Sequence, residues 1–170
     1  MSRLVQSMVG RMLALGLALG LAVPATLGQA EDPQAKAKAK LAFDVAKRFF
    51  RDGMFTTAVE RFDAFAEAHP GSSARAEAVL LEGQARFQLG QFEAVAAKLT
   101  AGLQSAALWT DRYLFWIGEA QFALGRFREA SASYGLLIEK YPDSERALTA
   151  ALGQAQSFYK LGDLKRSIAT

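Results

Sequence analysis

Residues 116–130 read WIGEAQFALGRFREA, and their punctuation decides the architecture. Gly118 and Gly125 are seven residues apart, Phe127 follows the second glycine by two, and Ala130 follows it by five. Apolar residues stand three and four apart on either side of Gly125, the spacing of two amphipathic helices joined by a tight turn. The spacing recurs at Gly83, Gly90, Phe92 and Val95, at Gly53, Phe55 and Ala58, and at Gly162, Leu164 and Ser167. The turn glycines Gly53, Gly90, Gly125 and Gly162 are 37, 35 and 37 residues apart. A short helix pair cannot cover its own apolar face, so such units stack into an α-solenoid.

Outward from this unit, a polar lead covers residues 31–36, and the first helix is expected to begin at its end, from Ala35, and to run through Phe43, Ala46, Phe49 and Phe50. Its return helix, Phe55 to Ala68, turns Ala58, Phe62 and Phe65 inward and ends at His69-Pro70-Gly71, because proline cannot continue a helix. Ser72 or Ser73 is expected to cap the second unit, and Thr110 or Asp111 the third. The second unit lacks the closing proline, so its exit through Leu103, Ala106, Ala107 and Leu108 is expected to be irregular. Tyr141-Pro142-Asp143 closes the third unit, and the fourth stops at Thr170 after barely two turns of its second helix. Small residues at Ala46, Gly83, Gly118 and Ala155 let the first helices approach their partners, with aromatics filling the remaining space.

Residues 1–30 form a different segment. Arg3 and Arg11 precede an apolar run from Met12 to Val23, and Gly28 and Ala30 stand at the −3 and −1 places of a cleavage site before Glu31. This is the form of a Sec-type secretory signal; the rival reading is an uncleaved membrane anchor, against which the run breaks at Pro24, short of the about 20 residues a spanning helix needs. Its removal takes away two arginines and no acid, leaving 18 basic side chains against 17 acidic ones, a net charge of +1 rather than +3. A near-neutral mature surface gives no reason to expect nucleic acid. The absence of cysteine means no disulfides and no lipid-bearing residue after the signal, so a periplasmic chain with no stable membrane insertion is expected.

No chemistry-bearing constellation is visible. The lone His69 precedes Pro70 at a unit boundary, the serines form no nucleophile elbow, and the glycines sit at turns rather than in a phosphate loop. No catalytic residue, metal or cofactor is assigned. Three features bear on binding instead. Phe50, Phe87, Phe122 and Tyr159 recur at one place in each first helix, either as inter-repeat core or as a ladder on the concave face. Trp116 either anchors a partner or packs inside, and Lys36, Lys38, Lys40, Lys47, Arg48 and Arg51 make the first helix basic, as a solvated cap or a site for anionic lipid or glycan.

The roughly 34-residue period and the small–small–proline punctuation resemble the tetratricopeptide repeat family over residues 37–170. The resemblance implies a right-handed, all-α solenoid of about three and a half repeats, working as a non-catalytic scaffold for a protein or peptide. The phrases HPGSSARAEAVLLEGQARFQLGQFEAV and YPDSERALTAALGQAQSFYKLGDLKRSI are similar to its exported bacterial subgroup, which includes the Tol–Pal-associated periplasmic protein and the outer-membrane assembly lipoprotein. The family's inward-facing first-helix positions fall on Lys40, Asp44, Lys47, Arg51, Gln84, Gln88, Arg112, Trp116, Glu119, Gln156 and Lys160. The alternative is the docking module of a larger envelope enzyme or glycan-processing assembly whose chemistry lies beyond residue 170. The short last helix leaves Leu152, Ala155, Phe158 and Tyr159 unshielded, so the natural chain is expected to continue with more repeats, or two copies to pair through this end.

Overall fold

A computed structural model describes residues 33–169; the signal-like run lies outside the described residues. The described residues form an all-α solenoid of antiparallel helix pairs. The helices are α1 (Pro33–Arg51), α2 (Phe55–Ala68), α3 (Arg75–Gln88), α4 (Phe92–Gly102), α5 (Thr110–Ala123), α6 (Phe127–Lys140), α7 (Ala147–Lys160) and α8 (Leu164–Ala169). Helix α1 starts at Pro33, inside the expected lead, because proline is well placed at a first helical position: its missing N–H has no partner there in any case.

The four elbows between paired helices share one geometry. Gly53, Gly90, Gly125 and Gly162 have φ of 74°, 73°, 73° and 77°. In each, the residue after the glycine donates its N–H to a carbonyl five residues back, as Met54 does to Phe49 at 2.9 Å and Arg126 to Gln121 at 2.8 Å. The positive φ is what glycine supplies and other residues resist. The recurrent aromatics lock these elbows from inside. Phe50 meets Phe55, Phe87 meets Phe92 and Phe122 meets Phe127 edge-on, at 5.7, 4.9 and 5.2 Å between centroids. Three of the four thus pack half-buried against the core, whereas Tyr159 is 62% exposed.

The closing turns divide into two kinds. In the Pro70 and Pro142 turns, the Ser72 and Ser144 hydroxyls accept the N–H of Ala74 and Arg146, so Ser72 ties the turn just ahead of α3 rather than capping α3 itself. The second unit leaves through two 3-10 turns, Leu103–Ser105 and Ala107–Trp109, with Ala107 at φ 49°. The caps expected of Thr110 and Asp111 do not form. The Thr110 hydroxyl donates back to the Ala107 carbonyl, and the Asp111 carboxylate accepts the Ser144 hydroxyl at 2.5 Å.

Inter-repeat packing trades volume between two positions. Phe65, Gly102 and Leu137 are register equivalents, as are Ala78, Tyr113 and Ala150. Phe65 shares a buried cluster with Ala78, and Leu137 with Ala150, while Gly102 lies against the Tyr113 ring, 3.1 Å from where its Cβ would be. A large residue on one side therefore meets a small one on the other at all three junctions. A further close approach, between repeats, is made by Gly153, which abuts the Tyr134 ring of α6.

Candidate functional site

The four first helices carry polar residues at matching places. Lys40, Glu77, Arg112 and Thr149 form one row across α1, α3, α5 and α7; Lys47, Gln84, Glu119 and Gln156 form a second; Arg51, Gln88, Ala123 and Lys160 form a third, exposed throughout and polar except at Ala123. Seven and four residues separate the rows, so they share one helix face.

The first row is wired into neighbours. Lys40 pairs with Asp44 at 2.7 Å, and Lys47 stands 4.0 Å from Asp44 and 3.9 Å from Glu77 on the next first helix. The hydrogen bond from Lys40 and the charges around it hold the Asp44 carboxyl below its usual range. Arg112 lies over the Trp109 ring and 3.8 Å from Glu145. Glu119 turns inward and accepts the Tyr134 hydroxyl at 2.6 Å. Burial and this bond push the phenol of Tyr134 well above its ordinary pKa. Gln88, Gln156 and Lys160 are exposed and Gln84 half-buried.

Trp116 is wedged between Phe87 at 5.1 Å and Phe115 at 5.7 Å, with its Nε1 buried and without an acceptor. It contributes to packing between repeats. His69 leans on Phe65 at 5.1 Å. Among the described residues, no group of three acidic, histidine or cysteine side chains is placed to hold a metal, and no helix is long and apolar enough to cross a membrane.

Sequence reasoning missed a buried charge cluster. Glu82 on α3 is fully buried, with Arg86 Nε at 2.7 Å and Lys98 Nζ from α4 at 2.7 Å; Lys98 also binds Asp63 on α2. Burial alone would lower the Lys98 pKa, but hydrogen bonds to Asp63 and Glu82 outweigh it and the pKa is raised. The available signal was a glutamate in the register that holds Val45, Ile117 and Gln154 on the other first helices.

Residues 112–144 match the family model of the tetratricopeptide repeat. A search of curated proteins returns no match. Among solved structures the chain is similar to MamA, at 16% identity over 77% of this chain and 72% of that one, TM-score 0.67. It is also similar to a tetratricopeptide repeat protein from Parabacteroides merdae, at 14% identity over 77% and 50%, TM-score 0.68. A third is a Rap protein complexed with Competence and Sporulation Factor, at 14% identity over 78% and 40%, TM-score 0.61. These likenesses establish the tetratricopeptide fold.

Proposed function

We propose that this tetratricopeptide-fold chain is an exported, non-catalytic scaffold of a bacterial cell envelope, periplasmic after loss of its signal, that binds a protein or peptide in the concave groove formed by its first helices. The fold supports a protein partner in general terms. The observation that carries the groove is the set of three rows, polar except at Ala123, repeated across α1, α3, α5 and α7. Envelope export rests on the signal-like run, and the kinship proposed with Tol–Pal-associated and outer-membrane assembly scaffolds rests on the phrases quoted above.

The test is recovery of partners from envelope extract by the purified chain and by an Arg51→Ala, Gln88→Ala, Arg112→Ala, Lys160→Ala variant. Loss of the same partners in the variant supports the groove, and equal recovery overturns it. Trp116 is left intact, because its truncation would damage the packing with Phe87.

A second reading, the docking module of a larger envelope assembly, is favoured by one feature. Leu148 and Leu152 on α7 are 85% and 59% exposed, whereas Leu80 and Phe115, the register equivalents of Leu152, are buried in the middle repeats. A face built to be covered suits either a neighbouring domain or a second copy of this chain.

A further inference from the structure

Helices α3, α5 and α7 each begin 15 residues before their turn glycine, at Arg75, Thr110 and Ala147, whereas α1 begins 20 before Gly53. The additional turn at the start of α1 overhangs the solenoid. Residues 33–38 are all exposed, so the overhang does not serve the core. It does form one wall of a cleft of about 610 Å³, whose opposite wall is the loop from His69 to Ala74. The floor is Ala39 with the edges of the Phe43 and Phe65 rings, 5.2 Å apart between centroids. Lys36, Lys40 and His69 stand around it, and none of its lining residues is acidic.

The next junction shows what the overhang adds. There Ser72, Ser73 and Ala76 occupy the places of Ala35, Lys36 and Ala39, no overhang exists, and the corresponding cleft shrinks to about 270 Å³. Width and the lysine rim are thus peculiar to the first junction.

We propose that this amino-terminal cleft binds an acidic peptide segment, seating one aromatic side chain on Ala39, Phe43 and Phe65 and setting its flanking carboxylates against the lysine rim. The cationic rim around an apolar floor selects an anionic, apolar-bearing ligand by charge complementarity. The recess favours a side chain over a bilayer: a membrane surface meets protruding residues, and here the apolar part lies at the bottom. Lys40 keeps N–H capacity for a ligand, since its bond to Asp44 uses one of three donors and its side chain is 78% exposed. This site adjoins the groove at Lys40, which also belongs to the first polar row, and it rests on the reading above only for the premise of a protein partner.

The test is fluorescence anisotropy of the full chain with a fluorescein-labelled acidic octapeptide carrying one phenylalanine between two aspartates. Saturable binding that weakens with salt is expected. Lys40→Glu, at an exposed site, should weaken it about tenfold or more, Lys40→Arg should retain it, and Ala39→Trp should fill the cleft and abolish it. Replacing the peptide's phenylalanine by alanine should cost about tenfold as well. Undiminished binding by Ala39→Trp overturns the proposal. So does binding of phosphatidylglycerol vesicles in place of the peptide. Loss on Gln156→Ala, Lys160→Ala with Ala39→Trp unaffected would overturn the cleft while placing the probe in the groove. No binding by any variant refutes the cleft alone, because the groove is judged by recovery of partners from extract.

Discussion

The ring of Tyr134 occupies the space beside Gly118: a Cβ on that glycine would lie 2.6 Å from Cε1 of the tyrosine. Gly153 presses from the other side at 2.7 Å, and the hydroxyl is tied to Glu119, so the ring has nowhere to move. Gly118→Ala should therefore destabilise. Overpacking costs about 1–3 kcal/mol, and the better helix propensity of alanine returns about 1, for a net loss of up to about 2 kcal/mol in denaturant unfolding. Gly135→Ala is the contrast, since the atom in its way is Nε2 at the end of the flexible Gln154 side chain; moving it gives up its bond to the Ser131 carbonyl, about 1 kcal/mol that the helix propensity of alanine returns, so near-neutral stability is expected there.

Glu82→Ala should cost on the order of 3 kcal/mol, near the lower end for breaking a buried ion pair, because Lys98 keeps Asp63 and Arg86 keeps Gln91. A double-mutant cycle between Glu82 and Lys98 should show coupling that survives high salt, unlike that of the exposed Arg126–Glu93 pair. Equal salt sensitivity in both cycles would contradict the burial argument.

Alkaline pH should unfold the chain through its buried phenols. Burial pushes Tyr113 up to about 12, and its hydroxyl donates to the Ala76 carbonyl at 2.8 Å. Tyr134 moves in the same direction. A phenol raised in the folded state gives stability that is complete below its unfolded pKa of about 10 and is lost as pH climbs towards the folded value. Unfolding midpoints should fall between pH 10 and about 12. Tyr113→Phe should flatten that slope, a change visible in denaturation series at pH 8, 10 and 11.

The α7 face should associate. Leu148→Glu with Leu152→Glu is expected to lower the apparent mass in light scattering without lowering thermal stability, since both side chains are exposed. An unchanged monomer before and after the substitution would rule out pairing through this end.

Helix α8 spans six residues and buries none of them, below the about 12 at which isolated helices become marginal. Its amides should exchange far faster than those of α5, and strong protection from Leu164 to Ile168 would be the contrary result.

The repeats were legible because each elbow imposes a backbone need that only glycine meets cheaply. Gly53, Gly90, Gly125 and Gly162 therefore mark the turns at any level of side-chain divergence. The second unit's exit was legible only as irregular: nothing local announces that Ala107 takes a positive φ, which is set by the 3-10 turns around it. The cap assignments at Thr110 and Asp111 failed because both side chains found tertiary or backward partners. The polar rows of the first helices follow from register. The charge cluster does not, since Glu82 and Lys98 are far apart in the chain and meet only when α3 and α4 pair. The cleft escaped notice for a similar reason. Its alanine–lysine wall reads as ordinary helix, and only the loop opposite makes it a recess.

The compensating volumes at the three junctions limit how this chain can be rearranged. A shared motif suggests interchangeable modules, yet Gly102 placed before Ala78 would leave a void, and Phe65 placed before Tyr113 would put two rings in one space. Each repeat is keyed to its own neighbour. Duplication or shuffling of a single unit would break that match, so evolution of such an array must alter both sides of a junction together, and grafts that exchange whole junctions should succeed where exchanges of whole repeats fail.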